Sequence, residues 1–281
     1  MAATILEEIA ARTRERIELE KQQISLEEMK RQALELVGQE NAVRKQTGDP
    51  AEMQTENPGE FPFASALRKP GISFICEVKK ASPSKGLIAP DFSYVEIAKE
   101  YEAAGAAAMS VLTEPYYFQG KNEYLTEISK AVSIPLLRKD FTVDPYMIYQ
   151  AKVIGASAVL LICALLTQEE LEEYLNLAHN LGLSALVEAH DETEIQMALK
   201  AGAGIIGVNN RDLRTFTVDI HNSEKLRKLV PENIIFVSES GIKTAADVAS
   251  LKANGTDAVL IGETFMRSPD KRKALQELRG E

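Results

Sequence analysis

From about residue 72 the chain repeats one texture. Short apolar runs alternate with stretches whose apolar residues recur every three or four positions. Eight such runs stand out: ISFICEVK, AAMSVLT, IPLLRKD, SAVLLIC, SALVEA, GIIGVNN, IIFVSES and DAVLIGE. Apolar runs of this length, bounded by turn signals, read as strands buried on both faces. The segments between them read as helices. SYVEIAKEYEAAGA, QEELEEYLNLAHNLG and TAADVASLKANG carry that spacing, the last two ending on a glycine suited to a helix C-terminus. Gly105, Gly155, Gly202 and Gly255 each stand just before a strand, the mark of one βα unit repeated.

Unbroken β–α alternation, with strands too apolar to face water, specifies an α/β fold with a parallel sheet covered by helices. Eight units in roughly 210 residues fit a single closed (β/α)8 TIM barrel, for which ~250 residues is typical. An open doubly wound sheet is the alternative. The first 40 residues differ: they are highly charged and helical in spacing, with Ile5, Ile9, Ile17, Met29, Leu34 and Leu36 as scattered apolar contacts. QENAVRKQTGDPAEMQTENPGE follows, polar and marked by Pro50 and Pro58, and reads as an irregular connector. The expected organisation is residues 1–60 as a helical extension and connector packed on the barrel, and 61–281 as the barrel.

Composition narrows the partners. The formal net charge of -10 argues against a nucleic-acid surface. It leaves an anionic small molecule open, because a few lysines in a cleft outweigh the average field. No apolar run approaches the roughly 20 residues of a membrane helix, and the acidic, periodic N-terminus has no leader-type apolar core. A cytoplasmic protein with no membrane partner is expected, its Cys76 and Cys163 being buried reduced thiols. Two motifs are decoys. Gly202-Ala203-Gly204-Ile205-Ile206-Gly207 matches G-x-G-x-x-G, but it enters a strand where a dinucleotide site would leave one and open a helix. Glu188-Ala189-His190-Asp191-Glu192 looks metal-ligating, yet Asp191 is better placed to cap the next helix with Glu194 completing a capping box, and no metal is expected.

Polar residues gather at the C-terminal ends of the apolar runs: Glu77 and Lys79, Thr113 and Glu114, Lys139, Glu188, Asn209 and Arg211, then Glu239 and Ser240. In a barrel these ends form one rim, the usual place of an active site. Residues i and i+2 of a strand share a face. Leu137 and Lys139, Leu186 and Glu188, Gly207 and Asn209, and Val237 and Glu239 therefore pair an interior position with a polar cap above it. Lysines and carboxylates converging there perturb one another and can act as acids and bases. Ion pairs that merely hold the rim are the bland alternative. Glycine at the ends of the seventh and eighth runs, Gly241 and Gly262 beside Glu263, suits a phosphate bound by backbone N–H groups, with Ser82 and Ser84 as added donors. Glycines serving only as turns are the rival view.

Together EVKKASPSKG, LTEPYYFQG, LLRKDF, LVEAHDE, GVNNRDL, VSESGI and LIGETFM, in this order from about residue 60 onward, resemble the indole-3-glycerol phosphate synthases of tryptophan biosynthesis. The resemblance implies decarboxylating ring closure and dehydration of 1-(2-carboxyphenylamino)-1-deoxyribulose 5-phosphate, with no metal or organic cofactor. It implies Lys139 as the general acid on the ketone, and Lys79 at the carboxylate or in proton transfer. Glu77 and Glu188 become the acid/base carboxylates, and Asn209 and Ser240 orient hydroxyls. Substrate contacts fall to Phe118 in the aromatic pocket, Arg211 on the anthranilate side and Glu239. Ser82, Gly241, Gly262 and the Glu263 backbone take the phosphate. The partners implied are an anionic small-molecule substrate and other tryptophan-pathway enzymes. The loop KKASPSKGLIAPD is expected to be a mobile lid. The rivals are another phosphate-binding barrel, such as phosphoribosylanthranilate isomerase with a Cys/Asp pair that these cysteines do not match, and a non-catalytic phosphosugar-binding barrel.

Overall fold

In a computed structural model, which describes residues 4–47, 61–212 and 216–281, the glycines before the strands share one conformation. Gly105, Gly155, Gly202 and Gly255 have φ between 83° and 92°. A side chain is strained at those angles, so glycine ends each helix and turns the chain into the next strand. The strands are β1 (Ser73–Val78), β2 (Ala108–Leu112), β3 (Leu136–Lys139), β4 (Ala158–Ile162), β5 (Ser184–Ala189), β6 (Ile205–Asn209), β7 (Ile235–Glu239) and β8 (Ala258–Ile261). Each pairs in parallel with its sequence neighbours, and β1 also pairs with β8, closing the ring. Closure removes the open doubly wound alternative.

Alternation along each strand separates two cores. Ile75, Leu137, Leu186, Val237 and Leu260 point inward and pack together. Their neighbours, such as Phe74, Val187 and Phe236, pack outward under the helices. The inward set includes Phe63, Ala64 and Leu67 of α3 (Pro62–Leu67), which lies against the start of β1, where Ser73 Oγ donates to the Ala66 and Leu67 carbonyls. That end of the barrel is plugged, which leaves the other mouth for chemistry.

The extension forms α1 (Ile5–Gln23) and α2 (Leu26–Thr47). Thr4 opens α1 through a capping box with Glu7. Ala10, Ile17 and Met29 pack on Tyr146 and Met147 of α6 (Pro145–Val153). Two expectations need correction. Leu34 is exposed and Ala33 takes the buried position, because the side of α2 that faces α6 is set by the docking and not by residue size. The expected irregular connector is helical through Thr47; its remainder, 48–60, lies outside the described residues. Among the described residues, no helix is long and apolar enough to cross a membrane.

Candidate active site

Lys139 closes β3 with its ammonium suspended between two carboxylates. It donates to Glu188 Oε2 of β5 at 3.0 Å and to Glu239 Oε2 of β7 at 2.7 Å. Across the mouth, Lys79 donates to Glu77 of β1. Asn209 Nδ2 of β6 lies 3.3 Å from Glu188 Oε1, and its Oδ1 accepts from the Arg211 backbone N–H at 3.0 Å. All of these side chains line one cavity of about 510 Å³, together with Ser82, Phe118, Ser240, Gly241, Gly262 and Glu263. The chain thus brings to a single mouth every residue to which the resemblance gave a role. A cavity of this size suits a small-molecule ligand.

Burial and crowding divide the carboxylates. Desolvation opposes charge on Lys139, but Glu188, Glu239 and Glu77 outweigh it and hold the ammonium well above the ordinary lysine range. Burial pushes Glu239 up, and repulsion from Glu188 and Glu77 adds to this despite Lys139, so its value reaches about 7. Burial works the same way on Glu188, yet Lys139, His190 and hydrogen bonds from Lys139 and Asn209 keep it below the ordinary carboxylate value. Two carboxylates on one lysine are therefore pushed apart, one ionised and one able to hold a proton near neutrality. Such a split marks out acid/base partners. Glu239 Oε1 is buried with no hydrogen-bond partner among the described residues, in keeping with the cost of its charge.

At the far end of the cavity the chain turns through Ser240 and Gly241, both left-handed at φ 69° and 84°. A non-glycine residue there stores of order 1–3 kcal/mol, a cost usually met at functional sites. Gly262 leads directly into the short helix α11 (Glu263–Arg267). The Glu263 carboxylate is engaged by Arg267 at 3.1 Å and Lys85 at 3.6 Å, which offsets its repulsion toward an anion. On the aromatic side, Phe118 and Phe141 stand 6.0 Å apart between ring centres.

The model of the family described as indole-3-glycerol phosphate synthase matches residues 6–278. The chain belongs to that family. The indole-3-glycerol phosphate synthase of Ruminiclostridium cellulolyticum is 54% identical over 276 residues, covering 98% of this chain and 99% of that one. That of Endomicrobium trichonymphae is 56% identical over 275 residues, with coverages of 98% and 99%. Among solved structures, a mutant tryptophan synthase α-subunit from Pyrococcus furiosus superposes with a TM-score of 0.58 at 15% identity, covering 74% of this chain and 98% of that one. A thiamine phosphate pyrophosphorylase from the same organism gives 0.57 at 19%, covering 74% and 94%. These two likenesses concern the fold alone.

In this member of the family the sequence reading missed three things. Ile5, Leu6 and Ile9 of α1 line the cavity, so the extension supplies part of its wall. Asp140, one residue beyond Lys139, accepts both contacts from Arg16 Nη2 of α1 at 3.0 Å and one from Thr113 Oγ1 at 2.7 Å. Gly207 makes room for Glu239, whose carboxylate a Cβ at that position would strike. The LLRKDF motif and strand parity pointed near these residues without revealing their partners. Thr113 and Glu114, expected with the rim residues, do not join the lysine cluster. Thr113 serves the Asp140 network, and Glu114 accepts the backbone N–H groups of Tyr116, Tyr117 and Phe118, fixing the β2 loop. Asp191 does cap α8 (Glu192–Lys200), but the Glu194 carboxylate returns to the His190 N–H, so the expected reciprocal box is shifted by one residue.

Proposed function

We propose that this cavity performs the indole-3-glycerol phosphate synthase reaction, closing the indole ring of 1-(2-carboxyphenylamino)-1-deoxyribulose 5-phosphate with loss of carbon dioxide and water. The observation that carries the reading is Lys139 held between Glu188 and Glu239, opposite the Glu77–Lys79 pair, in a cavity whose other end is lined by Ser82, Gly241 and Gly262. Family membership supports the same activity.

The substrate is anionic at both ends, and the two ends of the cavity answer it differently. The phosphate takes backbone N–H groups of Gly241, Gly262 and Glu263 with the Ser82 hydroxyl. The ring carboxylate takes Lys79, with Arg211 on that side and Phe118 against the ring. Held at both ends, the flexible ribulose chain bends and brings the aromatic carbon to the ketone. Lys139, kept charged by its carboxylates, gives a proton to the ketone oxygen as the new carbon–carbon bond forms. The ring carboxylate then leaves as carbon dioxide, its bonding pair restoring aromaticity. Dehydration follows, with Glu188 and Glu77 moving protons at the departing hydroxyl and Glu239 able to hold one near neutrality. Asn209 and Ser240 orient hydroxyls. The ribbon Ala81–Ser82 with Gly86–Leu87 sits in the β1 loop, whose Ser82, Pro83, Ser84 and Lys85 line the cavity and serve as its lid. A steady-state assay of indole fluorescence from the carboxyphenylamino substrate tests the reading. Turnover is expected, and phosphate-ester binding without turnover would reduce the molecule to a binding barrel.

A further inference from the structure

The end of β5 places more than one ionisable group. His190, the first residue beyond it, has Nε2 3.5 Å from Glu188 Oε1. Its Nδ1 lies 3.0 Å from Glu194 Oε2, and the same oxygen accepts the His190 backbone N–H at 2.8 Å. A carboxylate in that position requires the hydrogen to sit on Nδ1. Nε2 is shut off from solvent and has no hydrogen-bond partner among the described residues. An unprotonated Nε2 beside Glu188 would add lone-pair repulsion to the cost of burial, whereas a second proton turns the contact into an attraction.

We propose that His190, clamped by Glu194, is a positioning residue that orients the Glu188 carboxylate and governs its affinity for a proton. The inference rests on the acid/base reading of Glu188 and deepens it. His190 does not line the substrate cavity; it lines a second cavity of about 520 Å³, and Leu6, Asn209 and Arg211 form the wall that the two share. Its action on the reaction therefore passes through Glu188. Glu188 and Glu239 face it from the barrel, and Asp191 and Glu194 from the first turn of α8. Glu7 of α1, Arg211, Asp212 and Asp219 stand around the second cavity, and Asn222 of α9 (His221–Arg227) donates to the His190 carbonyl at 3.2 Å. Acidic groups outnumber basic ones in this surround, so the imidazolium is the favoured form. Burial opposes that charge, but Glu194, Glu188 and Glu239 prevail and raise the histidine to about 9. The coupling is reciprocal: whatever holds the proton on His190 also holds Glu188 ionised. Contacts of this kind are often long without substrate and tighten in the complex.

Two kinetic variants and one titration test the proposal. His190→Gln keeps a donor and removes the charge. It is expected to lower kcat roughly tenfold, a part of the 10²–10⁴ that positioned proton transfer supplies, with KM nearly unchanged. If Glu188 acts ionised, the acid limb of the kcat profile moves up by about one pH unit, the effect of losing one nearby opposite charge. Glu194→Gln moves the same limb the same way by less. In the substrate-free protein, nitrogen NMR follows the His190 ring directly. It is expected to titrate above neutrality, and Glu188→Gln is expected to lower that midpoint. An unmoved acid limb in folded His190→Gln, or a His190 ring that titrates as an ordinary histidine and ignores Glu188→Gln, overturns the proposal. Full turnover in Glu188→Gln overturns instead the acid/base reading beneath it, and the NMR coupling, measured without turnover, tells the two failures apart.

Discussion

Lys139 is bound to two acids that do not share its charge equally, and its proposed task as general acid follows from the charge they keep on it. Lys139→Met keeps the side-chain volume and leaves Glu188 and Glu239 without their cation. Turnover is expected to fall at least about 10³-fold, within the range of a lost general acid, while far-ultraviolet circular dichroism retains the barrel signal. Glu239 carries a signed pH effect. Its folded value of about 7 lies above its ordinary 4.5, so between those values the folded chain keeps a proton that the unfolded chain has released. Stability from this group is present below that window and lost as pH rises through it. Glu239→Gln removes the dependence. Its melting temperature relative to the parent is expected to rise on going from about pH 5 to about pH 8 in thermal unfolding scans. Glu114 and Glu188 look alike in sequence, each a carboxylate after an apolar run. Only their neighbours separate them: Glu114 meets three backbone N–H groups, Glu188 meets an ammonium.

Among elements, α1 ties the extension to the end of β3. Arg16 grips Asp140, whose side chain is 0% exposed, immediately after Lys139. Arg16→Met leaves a buried carboxylate with Arg138 at 3.5 Å, Thr113 and the Phe141 backbone N–H as partners. Removing one partner of a buried pair costs about 3–5 kcal/mol, which urea unfolding should register as a lower midpoint. The β1 loop is the other element with a distinct expectation. Inorganic phosphate is expected to slow amide exchange between residues 80 and 90, and unchanged exchange would remove its role as lid. Strands and barrel helices were legible because periodicity is local: the runs matched their strands to within a residue or two at the ends. The course of the extension was not, because the buried side of α2 depends on α6, more than a hundred residues away.

At the scale of the molecule, one mouth gathers charges from every quarter of the barrel while the other is filled by α3. A chain with a net charge of -10 thereby gathers Lys79, Lys85, Lys139, Arg211, Lys243 and Arg267 around one cavity, against Glu77, Asp140, Glu188, Glu239 and Glu263 on the same walls. Inorganic phosphate at about 100 times its Kd should stabilise the fold by about 2.7 kcal/mol, seen as a rise in melting temperature that equal ionic strength of chloride does not reproduce. No rise would remove the phosphate end of the site.

The amino-acid order alone settled which residues face inward, because side-chain direction alternates by local backbone geometry. Ile75, Leu137, Leu186 and Val237 point to the axis, so Glu77, Lys139, Glu188 and Glu239 do too. Tertiary structure decided who meets whom and at what charge. Lys139 and Glu239 stand a hundred positions apart along the chain and 2.7 Å apart in space. Proton affinities there arise from desolvation and from neighbours, and both exist only once the ring of strands has closed.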